Sequence, residues 1–289
     1  MARDAGPVTA TVSLLGNDRT GVVAKVTQFL FQHGANIESL EELVQRGVFH
    51  MSLAASWPSA ALEGQGRRDI EARLLALGRS LGMETRVRFH TPRQRPRVAV
   101  LVTKEPHCLE AIAAAARRGK LAADPVVVVS NRPNLRRQAA KAKLPFFHVP
   151  WTEPAKAERR LLKILDAHDV DFLVLARFMK ILSPDFCWRY RNRILNIHPS
   201  LLPAFPGATA YRQAWERGVR VVGATAHFVT PNLDEGPIVH QDAFRVRPEE
   251  PLESIKARGR ALESKVLLHA MKLYVAKRLD VHWGRVWNA

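Results

Sequence analysis

The stretch PRVAVLVTKEPHCLEAIAAAARRGKLAADPVVVVS, residues 96–130, decides the fold. Val98–Val102 and Pro125–Val129 are near-continuous apolar runs, which suit strands buried on both faces of a parallel sheet. His107–Arg118 between them reads as a helix, so the stretch is a strand, a crossover and a second strand. The pattern continues downstream. Phe172–Ala176 is a third buried run, and Asn134–Lys143 and Glu153–His168 read as further helices. This alternation predicts a doubly wound, mostly parallel α/β domain. A site in such a sheet lies beyond the carboxyl ends of its strands. A last helix is predicted over Pro251–Leu279.

The first 90 residues follow a different rhythm. Val8–Leu15 alternates as a half-buried strand does, and the polar turn Gly16–Gly21 follows it. A helix then sets Val22, Val23, Val26, Phe29 and Leu30 on one face and stops at Gly34. Asn36–Gln45 and Val48–Ala55 flank the turn Arg46-Gly47, Arg67–Leu81 is helical, and Thr85–Phe89 closes the unit. The order βαββαβ is ferredoxin-like. The predicted organisation is a front domain over 1–90, a linker over 91–97 and an α/β domain over 98–289. Thr91–Arg97 is set off by two prolines and by charge, and its arginines read as those of a solvated hinge.

Composition narrows the field. The chain has 289 residues, 47% hydrophobic and 25% charged, ordinary values for a globular protein, and two cysteines make no disulfide framework. Lys and Arg number 44 against 27 Asp and Glu, a net charge of +17. The first 90 residues hold ten basic and nine acidic side chains, so the excess lies in the second domain. That domain should attract anions, either a nucleic acid or a small polyanionic substrate. Its basic residues are scattered, at Arg117-Arg118, Arg136-Arg137, Arg159-Arg160 and Arg189–Arg193, so nucleic acid is the weaker reading. The start lacks the signal-peptide pattern, and no run nears the roughly 18 apolar residues of a membrane span, so a cytoplasmic protein without a membrane partner is expected.

The chemistry concentrates in residues 192–242, NRILNIHPSLLPAFPGATAYRQAWERGVRVVGATAHFVTPNLDEGPIVHQD. A strand over Ile194–Ile197 delivers Asn196 and His198 to its end, and Pro199, Pro203 and Pro206 predict an extended loop there. A second strand, Val219–Val229, leads into the stiff loop Thr230–Pro237, which displays Asp234. An amide donor, an imidazole and a carboxylate on two rigid loops are what a site needs to hold a reacting carbonyl. His198, His227, His240 and Asp234 also raise a metal reading, but there is no HExxH and no close Cys/His spacing, so none is expected. His227 reads as a side chain backing the site residues or as a core residue of its strand, and Cys108 as a small buried hydrophobe.

Two resemblances sharpen this reading. GNDRTGVVAKVTQFLFQHGANI, residues 16–37, resembles the opening of ACT domains, modules that often bind amino acids and usually pair with a second copy. The resemblance would place an amino-acid effector at Asn17, Asp18, Gly21 and Asn36, and it implies a homo-oligomer. Asn196-Ile197-His198-Pro199-Ser200-Leu201-Leu202-Pro203 and Leu233-Asp234-Glu235-Gly236-Pro237 resemble the formyltransferase family that uses 10-formyltetrahydrofolate. That likeness covers roughly 97–280 and includes Leu175–Leu182, which lines the folate pocket in that family. It implies Asn196, His198 and Asp234 as catalytic residues and Met179, Lys180, Ile181, Leu182, Thr230 and Leu233 as the substrate slot. Arg177 and Lys180 read as solvated, or as partners of the glutamyl tail.

The ACT-like front and the words Val102–Leu109 resemble the deformylase branch of that family. A loop that cradles phosphate is rich in glycine, whereas this one has none, and Pro106 removes an N–H. Water is therefore the expected acceptor. The implied reaction is hydrolysis of 10-formyltetrahydrofolate, the substrate rather than a cofactor, to tetrahydrofolate and formate. That would supply formate for purine synthesis and balance one-carbon folate pools. Asp234 would orient the water, with its pKa raised by Leu202, Phe205 and Leu233, while Asn196 and His198 would steady the oxyanion. The alternatives are formyl transfer to glycinamide ribonucleotide or methionyl-tRNA, and a non-enzymatic amino-acid sensor.

Overall fold

A computed structural model describes residues 7–45, 47–62, 66–90, 95–282 and 284–288. The chain divides into two compact units, Met1–Arg93 and Gln94–Ala289.

The first unit runs β1 (Val8–Asn17), α1 (Val22–Gln32), β2 (Asn36–Gln45), β3 (Val48–Trp57), a 3-10 turn (Ser59–Leu62), α2 (Gly66–Ser80) and β4 (Glu84–His90). Its sheet is antiparallel in the order β2-β3-β1-β4. In β1 the buried residues are Val8, Ala10, Val12 and Leu14, every second position, as a sheet with one packed face requires. Val22, Val26 and Leu30 of α1 recur every fourth position and, with Ile70 and Leu74 of α2, cover that face.

The second unit runs β5 (Arg97–Val102), α3 (His107–Arg117), β6 (Asp124–Ser130), α4 (Arg136–Lys141), β7 (Phe146–His148), α5 (Pro154–Ala167), β8 (Phe172–Leu175), α6 (Pro184–Arg189), β9 (Ile194–His198), α7 (Ala210–Glu216), β10 (Val221–Phe228), β11 (Ile238–Arg245), α8 (Leu252–Val275), β12 (Leu279–His282) and β13 (Arg285–Asn288). The main sheet has the order β11-β10-β9-β8-β5-β6-β7. β9 through β7 are parallel, while β10 and β11 are antiparallel. Val98, Val100 and Val102 of β5 pack with Ile112 of α3 and Val266 and Leu267 of α8. Ala99 and Leu101 pack on the other side with Leu161 and Leu165 of α5. Burial on both faces explains the unbroken apolar run. The chain enters at β5, builds β6 and β7 to one side, then returns to build β8 and β9 on the other. The switch point of this doubly wound sheet therefore lies between β5 and β8.

Several expectations need correction. The chain over 199–206 is not extended: the Ala204 amide donates to the Leu201 carbonyl at 2.9 Å, and the Leu202–Pro203 peptide is cis. Proline there stops a helix but does not prevent a turn. The last helix ends at Val275, and a hairpin of β12 and β13 follows where helix was expected to Leu279. The short elements β7, α6 and α7 and the edge strand β11 are additional to the sequence reading. Residues 91–94 of the predicted linker lie outside the described residues. Arg95 and Arg97 are not solvated hinge residues. Arg95 Nε donates to Asp124 Oδ1 at 2.6 Å, and Arg97 Nε donates to the His168 carbonyl at 2.9 Å, tying both to the second unit.

Candidate active site

Two β-strands and two loops build the site. β9 and β10 pair so that Asn196 faces His227 across the ladder. The strand ending at His198 turns at once into the folded loop, and β10 leads through Val229 into the loop that carries Asp234. In that loop Asp234 adopts a left-handed backbone, φ 56°, which Asp tolerates better than bulky residues do. Gly236 fixes the loop's exit, because a Cβ there would overlap the Phe228 carbonyl.

The three polar residues converge. His198 Nδ1 lies 3.3 Å from Asp234 Oδ2, with 4% and 8% of the two side chains exposed. The Gly207 amide donates to the same Oδ2 at 3.0 Å. Burial pushes the Asp234 carboxyl up. The hydrogen bonds from His198 and Gly207 outweigh it and hold the group below its ordinary value. The expected upward shift is thus reversed. Leu233, one of the three residues expected to desolvate it, is 56% exposed.

Of the two parts open to His227, it takes that of backing the site residues, touching both Asn196 and Asp234. It is buried in β10, but its ring stands between the other groups. Nδ1 donates to the Phe228 carbonyl at 2.9 Å, which leaves Nε2 to accept from Asn196 Nδ2 at 3.1 Å. The same Nε2 lies 3.8 Å from Asp234 Oδ1. Burial pulls the His227 pKa down, keeping the ring neutral and the tautomer fixed.

These residues open on one cavity of about 250 Å³. Asn196, His198, His227 and Asp234 line it, as do Met179, Lys180, Ile181, Leu182, Thr230 and Leu233, so every residue predicted for the slot borders one space. Met179, Ile181 and Leu233 form an exposed apolar rim, while Leu182 is buried beneath. Thr103, at the end of β5, accepts from the Met179 amide at 3.0 Å and donates to Asn131 Oδ1 at 2.7 Å, anchoring the 177–182 segment.

Comparison with known proteins agrees with this arrangement. Residues 96–271 match the formyl transferase family model and residues 9–88 the ACT domain model. The chain is 38% identical to a formyltetrahydrofolate deformylase of Bacillus subtilis (strain 168), over 92% of this chain and 88% of that one. The chain belongs to the formyltetrahydrofolate deformylase family. A solved deformylase from Pseudomonas syringae pv. tomato superposes with TM-score 0.65 at 32% identity, covering 98% of this chain and 95% of that one. Glycinamide ribonucleotide transformylase 1 from Symbiobacterium toebii also gives TM-score 0.65, at 35% identity, but it covers 69% of this chain and 96% of its own.

Two predictions made alongside the family resemblance change in the structure. Arg177 is not solvated: its side chain is 15% exposed, and Nε lies 3.6 Å from Glu263 Oε2 of α8. The four residues predicted to hold an effector do not meet within one ACT unit. Asn17, Asp18 and Gly21 cluster where β1 ends and α1 begins, and the Asp18 amide donates to the Gly47 carbonyl at 2.8 Å. Asn36 instead pairs with Ser56, whose other neighbour is Thr9 at the start of β1. At about 3.3 Å per residue, the length of β1 separates it from Asn17. His240 lies away from the site, its ring tilted against that of His269 with centroids 4.1 Å apart.

Proposed function

We propose that this chain hydrolyses 10-formyltetrahydrofolate to tetrahydrofolate and formate. The observation that carries the reading is the placement of the Asp234 carboxylate. The group is fixed by His198 and Gly207 and shares a small cavity with the Asn196 amide. The cavity is at the small end of the range for ligand sites, suited to one ring system rather than a whole folate. The rim of Met179, Ile181 and Leu233 offers apolar cover for the part that remains outside.

Water held by Asp234 attacks the formyl carbon. Asn196 donates its second Nδ2 hydrogen to the carbonyl oxygen as charge develops there; such a donor is typically worth ~10²–10³ in rate. Both nitrogens of His198 are already engaged, so it acts through Asp234. It steadies the carboxylate and shares the proton taken from water, which reaches the departing N10 as the C–N bond breaks. Positioning and ionisation, rather than a raised pKa, make Asp234 effective.

The test is acceptor-free turnover. Purified protein and 10-formyltetrahydrofolate should yield formate and tetrahydrofolate in equal amounts with no amine present. Product only with glycinamide ribonucleotide or charged tRNA would refute the reading.

For the front domain we propose pairing with a second copy and an amino-acid effector. Asn17 and Asn36 lie at opposite ends of one sheet, so two copies side by side would bring such ends together. Equilibrium sedimentation of the full chain should show a multimer at micromolar concentration, and a monomer would refute the pairing.

A further inference from the structure

At the switch point between β5 and β8, where a doubly wound sheet usually opens to a ligand, this chain places a buried charged cluster. Glu263, 1% exposed, reaches in from α8. Its Oε1 accepts from the Tyr211 hydroxyl at 2.7 Å, and its Oε2 lies 3.2 Å from His107 Nε2 at the start of α3. Arg177, leaving the carboxyl end of β8, closes the cluster from the side of the catalytic cavity, which it also lines. Two features show that the cluster is built in. Gly259 leaves room for the Tyr211 ring, which a Cβ would strike. Arg177 also holds φ at 62°, a conformation that side-chain-bearing residues rarely adopt.

His107, Cys108 and Glu263 have mutual distances that a cation could use, and the Arg177 guanidinium stands beside Glu263 as a positive charge already in the cluster. Burial, with the Glu263 charge adding to it, pushes the Cys108 thiol up.

An enzyme that passes a group to a second molecule needs room for both beside the reacting atom. The Symbiobacterium toebii transformylase has the same domain fold, so the fold alone does not exclude an acceptor. We propose that Arg177, paired with the Glu263 carboxylate at the edge of the cavity, occupies the space a formyl acceptor would need and so restricts the acceptor to water. The inference rests on the hydrolysis reading above. With that side chain removed, a primary amine could enter. Its nitrogen would bond to the formyl carbon, the C–N10 bond would break, and the amine proton would pass to N10.

The experiment compares the wild type with Arg177→Gly, which suits the left-handed backbone. Both receive 10-formyltetrahydrofolate and rising glycinamide, and formate and N-formylglycinamide are measured separately. The readout is the ratio of the two products, which does not depend on total turnover. The wild type should give formate alone. The variant should divert formyl to the amine at least about tenfold above the wild type, in proportion to amine concentration, as opening a pocket typically allows. Formate alone from the variant, or equal amine formylation by both proteins, would overturn the proposal. A wild type that makes no formate without amine would instead refute the hydrolysis reading. If Arg177→Gly does not fold, Arg177→Gly with Glu263→Gln removes the stranded carboxylate and carries the same expected ratio.

Discussion

His198 gives one ring nitrogen to Asp234, at 3.3 Å from Oδ2, and the other to the Phe205 carbonyl, at 2.9 Å. A carbonyl only accepts, so Nε2 carries a proton. The carboxylate also only accepts, so the contact is favourable when a proton lies between Nδ1 and Oδ2. The ring therefore works by holding the carboxylate that meets the substrate. His198→Gln should lower kcat by about 10² with little change in KM, the typical range for a group that assists proton transfer. Steady-state kinetics check this, and an equal rise in KM would point to substrate binding instead.

Gly236 links the Asp234 loop to β11 where a Cβ has no space against the Phe228 carbonyl. Backbone must move to admit Ala. Gly236→Ala should cost about 1–3 kcal/mol of stability, as overpacking does, and lower turnover because Asp234 shifts with the loop. Denaturant unfolding and activity assays should show both losses. A stable, active variant would mean that the loop's placement does not govern Asp234.

His227 is neutral and buried, with its pKa below the ordinary imidazole value of 6.5, chiefly through burial. Below about pH 6.5 the unfolded chain takes up a proton that the folded ring refuses. The stability His227 contributes is thus present above that pH and falls as pH drops towards its folded pKa. His240 on β11 shifts the same way, through burial and then His269, and adds to the slope. Melting temperature should decline from pH 7 to pH 5, and His227→Gln should flatten that decline. An unchanged slope would show that His227 is not the group responsible.

Much of this was legible in the sequence because buried strands are conspicuous. Val98–Val102 has no polar residue, since its side chains enter cores on both faces of the sheet. β7 has three residues, too few for any periodicity, and β11 lies at the sheet edge, where polar and apolar residues mix. Asn196, His198 and Asp234 stood out through their flanking words. His227 stood out less, because a histidine in an apolar strand reads equally as a core residue until the opposite strand supplies Asn196. Arg177 read as solvated because its partner, Glu263, lies far along the chain in a helix whose remaining charges face water. The direction of the Asp234 shift was also hidden. It depends on the Gly207 amide and His198, which only the folded loop brings into contact.

The central claim is that the Asp234 carboxylate positions the water that attacks the formyl carbon. Single-turnover formate release by Asp234→Asn, at saturating 10-formyltetrahydrofolate, tests it most directly. Asn keeps the shape but removes the charge, so the rate should fall by at least about 10³ while the substrate Kd stays within a few-fold. Formate release within about tenfold of the wild type would contradict the claim and remove Asp234 from the chemical step.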